Sequence, residues 1–340
     1  MRIATYNVEW FDRLFDDDGA VINDRSWSSR WNVTKRDQTK ALATVFRALD
    51  VDGIMVVEAP DSSRYRDGAL ALENFANRFG LRTNRAIVGF ENDTQQEIAF
   101  LYDPEVLSAV HAPKGNATGK KGSADAPRFD GTFRLDLDVD ASPDLITWSK
   151  PPLEIELTLP TGATMRLIGV HAKSKAPHGA RNDAEAMRIS IENRRKQLAQ
   201  CIWLRQRVDQ HLAAGDDLMV MGDFNDGPGL DEYEELFGRS GVEVVLGEGD
   251  ARRLFDPHAK IALGQRIGAM PSTSRFRRKG EPYLQALLDY IMVSPRLRDI
   301  GPRWQIWHPF DHPDCYDNKK LRKALLKASD HFPVVIDLPL

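Results

Sequence analysis

Asp217-Leu218-Met219-Val220-Met221-Gly222-Asp223-Phe224-Asn225 is an apolar run of strand character that stops at a glycine and then presents a carboxylate and a carboxamide two residues apart. Side chains alternate across a strand, so Asp223 and Asn225 leave the chain on one side if the backbone stays extended. Such a pair can hold a water or hydroxide and touch a phosphate oxygen at once. An acid at a strand end arises easily by chance. Its meaning depends on what the other strand ends bring to it.

Working outward, strand-like runs recur with helical stretches between them. Arg2–Val8, Gly53–Val57, Ile98–Tyr102, Met165–Val170, Leu287–Val293 and Pro333–Leu338 read as strands. Thr34 can cap a helix with Asp37 three residues on, and Ala41, Leu42, Val45, Phe46 and Leu49 form an apolar stripe at helical spacing. Leu70–Phe79 and Asp183–Leu212 read as further helices, the second with Met187, Ile191, Leu198 and Ile202 on one stripe. Ala112–Arg128, rich in Gly, Lys, Ala and Pro, reads as a mobile loop, and Gly247–Pro282 as a mixed, basic insertion. No linker divides the chain. One domain over residues 1–340 is expected, with loop insertions near 112–150 and 247–282.

Composition removes several classes. The chain has 340 residues, 42% apolar and 28% charged, as in an ordinary globular protein. The formal net charge of −4 argues against a basic nucleic-acid coat, although not against a local basic cleft. The two cysteines, Cys201 and Cys315, form no CxxC, so a zinc site is disfavoured and two reduced thiols are expected. No leader of the secretory type and no run of membrane-spanning length is visible, so a soluble, cytoplasmic protein is expected.

Polar residues end or interrupt the strands. Asn7 closes the first, Glu58 follows Ile54-Met55-Val56-Val57, and His171 follows Arg166-Leu167-Ile168-Gly169-Val170. Asp289 stands inside Leu287-Leu288-Asp289-Tyr290-Ile291, and Asp330-His331 precede Phe332-Pro333-Val334. Each has a bland reading when taken alone: turn former, surface acid, satisfied core histidine, structural Asp–His pair. Together they have a chemical logic. Asn7, Glu58 and Asp330 are hard oxygen ligands suited to Mg²⁺ or Mn²⁺. His331, oriented by Asp289, is suited to take a proton from water. Asp223 and Asn225 can position that water and stabilise charge developing on phosphorus.

The ordered set Ala4-Thr5-Tyr6-Asn7-Val8, Glu58, Ile98-Ala99-Phe100-Leu101-Tyr102, Gly169-Val170-His171, Gly222-Asp223-Phe224-Asn225, Leu288-Asp289-Tyr290-Ile291 and Ser329-Asp330-His331-Phe332-Pro333 resembles the endonuclease/exonuclease/phosphatase superfamily. That group includes pancreatic-type deoxyribonuclease, apurinic/apyrimidinic endonucleases, neutral sphingomyelinase and inositol polyphosphate 5-phosphatases. The resemblance implies an α/β four-layer sandwich: two packed mixed β-sheets flanked by helices, with the site at one edge. It implies that Asn7, Glu58 and Asp330 surround the metal, that Asp289 and His331 form the acid–base dyad, and that Asp223 and Asn225 handle nucleophile and phosphate.

His171 marks a branch. The deoxyribonuclease and sphingomyelinase types carry a His here, suited to act as acid or phosphate ligand. In the deoxyribonucleases an acidic residue on a neighbouring strand supports it, whereas here that position falls on Gln96 rather than Glu97. Val57 also replaces the glutamine usual before the acid. His171-Ala172-Lys173-Ser174-Lys175 resembles a segment of bacterial nuclease-like members, in which Lys173 and Lys175 would suit a phosphodiester backbone. The alternative is a solvated loop. Arg275-Phe276-Arg277-Arg278-Lys279, and Lys319, Lys320, Arg322, Lys323 and Lys327, are basic clusters fit for phosphate contact or simply for water. Trp304 and Trp307 read as core or surface anchors. The leading expectation is a Mg²⁺- or Mn²⁺-dependent nuclease on DNA or RNA. The alternatives are a phosphatase or phosphodiesterase on a small-molecule or lipid-headgroup phosphate and, more remotely, a non-catalytic binding member.

Overall fold

The computed structural model describes residues 1–92, 94, 96–136, 143–177, 179–228, 238–264, 270–277 and 280–340. Eleven strands form two large sheets. The first orders β14 (Arg303–Ile306), β15 (Val334–Asp337), β1 (Arg2–Asn7), β2 (Gly53–Pro60), β4 (Gln96–Tyr102) and β3 (Arg85–Val88). The second orders β13 (Asp289–Val293), β10 (Leu218–Asp223), β9 (Thr164–His171), β8 (Leu153–Thr158) and β5 (Ser108–His111). Both are mixed: β1 runs parallel to β2 and antiparallel to β15, while β10 runs parallel to β9 and antiparallel to β13.

Period-two alternation builds the layers. On β10, Met219 and Met221 face the core between the sheets with Ile3, Met55 and Phe100 of the first sheet. Leu218 and Val220 face outward onto Ala199, Trp203, Leu204 and Val208 of α3 (Asp183–Ala213). On β1, Ile3 points inward while Ala4 and Tyr6 meet α1 (Lys35–Leu49) and α2 (Gly68–Phe79). Each large apolar side chain so buried contributes about 1.5–3 kcal/mol. The result is the expected four-layer sandwich. Two glycines permit the close approaches. A Cβ on Gly169 would stand 2.4 Å from Met55 Sδ on the facing sheet, and one on Gly222 would stand 2.1 Å from the Val170 carbonyl oxygen.

The expected helices are present with their caps. Thr34 accepts from the Asp37 N–H at 3.2 Å, and Asp67 caps α2, which starts at Gly68, two residues before the expected Leu70. Shorter helices follow: α4 (Gly241–Leu246), α5 (Pro257–Gly264), α6 (Pro295–Asp299), α7 (Pro313–Asp317) and α8 (Lys319–Ala328). On α8, Leu321, Ala324, Leu325 and Ala328 are buried, while Lys319, Lys320, Lys323 and Lys327 are exposed, so that basic cluster is the solvent face of an amphipathic helix. Trp307 is buried and Trp304 donates to the Ile291 carbonyl at 2.8 Å, as expected of anchors. Cys201 and Cys315 are buried free thiols.

Three readings need correction. Ala112–Arg128 is irregular but tied to the core: Arg207 donates to the carbonyls of Ala126 and Pro127, Trp203 donates to Pro127, and Ala126 is buried. Its low-complexity composition concealed the buried Arg207–Glu154 pair (3.1 Å) beneath it. β2 does not stop at Val57 but runs to Pro60 through a bulge between Val57 and Ala59. Asp289 is the first residue of its strand rather than an interior one. Of the two insertions, the first carries a short pair, β6 (Phe133–Leu135) with β7 (Asp144–Ile146), and the second carries β11 (Ser274–Phe276), which pairs with β12 (Leu284–Ala286). Residues 137–142, 265–269 and 278–279 of these segments, including Arg278 and Lys279, lie outside the described residues.

Candidate active site

The site forms where strand ends from both sheets meet. In the second sheet, Asp223 at the end of β10 lies in register with His171 on β9 and Asp289 on β13. In the first, Asn7 ends β1 beside Val57, one residue before Glu58. At the site the sheets are linked by a hydrogen bond from Asn7 Nδ2 to Asp223 Oδ2 at 3.0 Å. Asp330 and His331 enter from the turn after α8, where Ser329 Oγ donates to the Asn7 carbonyl at 2.8 Å. The expected residues are therefore brought together from positions spread over the whole chain.

Asp223 is the hub. It is 1% exposed, and its Oδ1 accepts the Asn225 N–H at 2.7 Å. Its Oδ2 also accepts Asn225 Nδ2 at 3.2 Å and lies 3.7 Å from His171 Nε2 and 4.0 Å from His331 Nε2. The Asp223–Asn225 pairing is real, but its cause differs from strand alternation. Asn225 has φ 49°, so the chain leaves the extended form at once and folds the carboxamide back in a local turn. Asn225 Nδ2 is further held by the Ala172 carbonyl at 3.1 Å.

His331 Nδ1 lies 2.7 Å from Asp289 Oδ2, and Asp289 receives no other side-chain partner on Oδ1 among the described residues. Burial opposes charge on this imidazole, yet Asp289, by charge and hydrogen bond, together with Asp223 and Asp330, pushes its pKa up to about 10. Burial likewise raises Asp223, against the pull of His331. His331 Nε2 is the ring nitrogen that remains for a substrate or water.

His171 differs in kind. Burial, then the Lys150 ammonium, then His331, hold its pKa well below the usual histidine value. Lys150 Nζ stands 3.1 Å from His171 Nδ1 and 3.4 Å from Nε2. Gln96, aligned with the supporting acid of the deoxyribonucleases, turns instead to Glu58, donating to Oε2 at 2.8 Å. Glu97 is buried and takes the Asn92 side chain at 2.5 Å. No β4 acid therefore touches His171. Lys150 was missed by sequence reasoning. It lies in Ser149-Lys150-Pro151-Pro152, inside a segment read as an insertion, and no motif points to it.

The two lysines after His171 separate. Lys175 pairs with Asp226 Oδ1 at 2.5 Å, and Arg194 reaches the same oxygen at 3.3 Å, so the charge of Lys175 is matched inside the protein rather than offered to a phosphate. Asp226, fully buried, also takes the Gly241 N–H at 2.5 Å. Lys173 is half-buried, and its ammonium has no hydrogen-bond partner among the described residues. Burial and the nearby Lys196 lower its pKa.

Glu58, in the β2 bulge at φ 60°, presents Oε2 to the Trp10 N–H (2.9 Å) and to Gln96. Its Oε1 has no partner among the described residues. Among the described residues the Asp330 carboxylate has only Arg30, at 3.9 Å, and that guanidinium is closely paired with Glu9.

Comparison with known proteins places this geometry. A sequence model of the Endonuclease/Exonuclease/phosphatase family matches residues 4–331. The chain belongs to that family. Its members are hydrolases of phosphoester bonds and depend on a divalent metal ion. No sequence among the curated proteins matches. Truncated Caenorhabditis elegans TDP2 superposes with a TM-score of 0.51 at 13% identity, covering 98% of this chain and 96% of that one. The mannosyl-6-phosphatase Bt3783 of Bacteroides thetaiotaomicron gives a TM-score of 0.51 at 14% identity over 100% of both chains. At such identities the likeness is one of fold.

The donor set fits a hard cation. Asp223, Asp289 and His331 offer ligand atoms within 4.8 Å of one another, but Asp223 is saturated by amide donors and His331 Nδ1 is spent on Asp289. Carboxylate oxygens without a hydrogen-bond donor among the described residues lie on Glu58, on Asp330 and on Asp289 Oδ1, and hard oxygen ligands of this kind suit Mg²⁺ or Mn²⁺. Among the described residues no helix is long and apolar enough to cross a membrane.

Proposed function

We propose that the chain is a Mg²⁺- or Mn²⁺-dependent phosphodiesterase that cleaves DNA or RNA by direct attack of water. The observation that carries this reading is the buried Asp289–His331–Asp223 cluster, joined by Asn7 to the side of the site that holds Glu58 and Asp330. A divalent ion at Asn7, Glu58 and Asp330 would polarise the phosphoryl group and help the leaving oxygen depart. His331 orients the attacking water through Nε2 and takes its proton, with Asp289 fixing the ring. Asp223 and Asn225 hold the water against phosphorus. His171, neutral, and Lys150, cationic, donate to the non-bridging oxygens where charge develops. Lys173 meets the strand beyond. The neighbouring carboxylates favour the charged form of His331, and positive charge entering the site with the substrate would release the ring to act as a base.

A second reading, a phosphatase of small phosphate monoesters, is favoured by one feature. The compact ammonium of Lys150 suits a dianionic phosphate. One panel separates the two: plasmid, single-stranded DNA, RNA and phosphomonoesters with Mg²⁺ or Mn²⁺, each with and without EDTA. Cleavage of polynucleotide, lost in His331→Ala and Glu58→Gln while both variants keep their fold, supports the nuclease reading. Hydrolysis of monoesters alone refutes it, and turnover that survives exhaustive chelation removes the metal.

A further inference from the structure

The β11–β12 hairpin, the loop around residue 30 and the loop after β14 carry aromatic rings and guanidinium groups that the mechanism above does not use. Trp31 is 71% exposed, Tyr283 48% and Phe310 42%. Single exposed aromatics are ordinary, but each of these three lies against an arginine from one short segment, Arg275 or Arg277. Arg277 stacks on Trp31 at 3.9 Å from the ring centroid. Arg275 stacks on Tyr283 at 3.6 Å and lies 5.5 Å from the Phe310 centroid. The Arg277–Trp31 stack ties the hairpin to the loop.

This rim is fastened to the site. The Arg275 N–H donates to the Asp330 carbonyl at 2.7 Å, Ser274 bridges to His331, and the Phe276 ring sits 5.6 Å from the His331 ring. From the other side, Arg30, next to Trp31 in sequence, reaches Asp330 Oδ1 at 3.9 Å. Both walls of the rim therefore end at Asp330, and the hairpin wall also reaches His331.

We propose that this rim is a platform for unpaired nucleotides, so that the substrate is single-stranded nucleic acid; the inference rests on the nuclease reading. A guanidinium lying flat on a ring keeps its edge donors for phosphate oxygens, and the other face of the ring is open to a base. Alternating rings and cations match the alternating bases and phosphates of a strand. A duplex keeps its base faces stacked inside and offers such a rim only its backbone. A small phosphate ester has no use for three rings outside the reacting centre.

The test uses the full chain in EDTA, with a fluorescein-labelled single-stranded oligonucleotide and a duplex of the same sequence, read by anisotropy. The single strand is expected to bind about tenfold or more tightly than the duplex. Trp31→Ala and Tyr283→Ala are each expected to weaken single-strand binding about five- to a hundredfold, whereas Trp31→Phe keeps most of it. With Mg²⁺ and a single-stranded substrate, the alanine variants should raise KM and leave kcat unchanged. Equal affinity for duplex, or alanine variants that bind like wild type, overturns the platform. The two readings fail separately. Cleavage of single strand and duplex at equal rates in every variant removes the platform and keeps the nuclease. Ring-dependent binding without cleavage of any polynucleotide does the reverse.

Discussion

Lys150 is the sharpest point at which the proposed chemistry can be broken. Lys150→Met keeps the length of the stem and removes the charge. In the structure this ammonium has His171 as its near partner, at 3.1 and 3.4 Å, and its pKa is lowered by burial, with Glu58 and Asp223 opposing that shift. An ammonium has three donors, and the contacts to one imidazole leave capacity for phosphoryl oxygens. Two unit charges about 4 Å apart at an effective dielectric of about 20 interact by about 4 kcal/mol. Loss of one pre-aimed donor in known oxyanion sites costs about 10²–10³-fold in kcat. The two figures agree, so Lys150→Met should lower kcat about 10²–10³-fold. KM should change much less, because the charge matters most as negative charge builds. Stability should hold or rise, since a desolvated cation is removed. Lys150→Arg, which keeps the charge in a bulkier form, should recover part of the rate. Steady-state kinetics on the preferred substrate, with urea denaturation alongside, is the assay. A kcat within about threefold of wild type in a folded Lys150→Met protein would refute the reasoning. So would a kinetic loss explained by a collapsed denaturation midpoint.

Gly222→Ala places a Cβ 2.1 Å from the Val170 carbonyl oxygen at a residue with φ 134°, so the unfolding free energy should fall by more than about 2 kcal/mol; a wild-type urea midpoint would contradict the close strand packing. Burial first, with Asp61 and Glu91 adding to it, pushes the Glu97 carboxyl up to about 8. The folded state then binds a proton that the unfolded state releases, so this group's contribution is present at low pH and lost as pH rises from about 4.5 to about 8. The difference in stability between wild type and Glu97→Gln should therefore change on the order of 5 kcal/mol across that window, and parallel curves would show that Glu97 is not the cause. Mg²⁺ or Mn²⁺ at a hundred times its dissociation constant should stabilise the folded chain by about 2.7 kcal/mol in thermal unfolding, and Glu58→Gln should lose that shift; an ion-independent midpoint would count against the metal side of the site.

Seven of the eleven strands of the large sheets, and the polar residues at their ends, could be read from the chain because each rests on a local pattern, whereas β3, β5, β8 and β14 were not read. A strand that ends in Gly222-Asp223 or in Val170-His171 announces itself within about six residues, and β-sheet periodicity then fixes which face is buried. Contacts that cross the chain were not legible. Asn7 and Asp223, separated by 216 positions, meet through an amide that either could have spent elsewhere. Lys150 belongs to a loop whose composition is that of many loops, and only folding brings it to His171. Lys175 looked free beside a catalytic histidine because its partner, Asp226, is 51 residues away. The bulge that turns Glu58 to a positive φ needs no special residue type, so nothing in Val57-Glu58-Ala59 marks it.

The departure at Gln96 and the presence of Lys150 are two sides of one change. An acid beside His171 would stabilise its imidazolium and make it a proton donor by charge. Here the β4 acid position holds an amide that serves Glu58, and the group nearest the ring is a cation at 3.1 Å, closer than the Asp223 carboxylate at 3.7 Å. A cation beside a buried imidazole favours the neutral form, which agrees with the depressed pKa of His171. His171 is then a fixed hydrogen-bond donor, and the positive charge belongs to Lys150. On the proposed mechanism the transition state would meet the same net charge, but the proton that moves would no longer be on this histidine. In a pH–rate profile the alkaline loss of activity should follow Lys150 rather than His171. His171→Gln, which keeps a neutral donor, should then be tolerated far better than Lys150→Met. The opposite ranking would mean that the ring itself carries the charge, and that Lys150 only supports it.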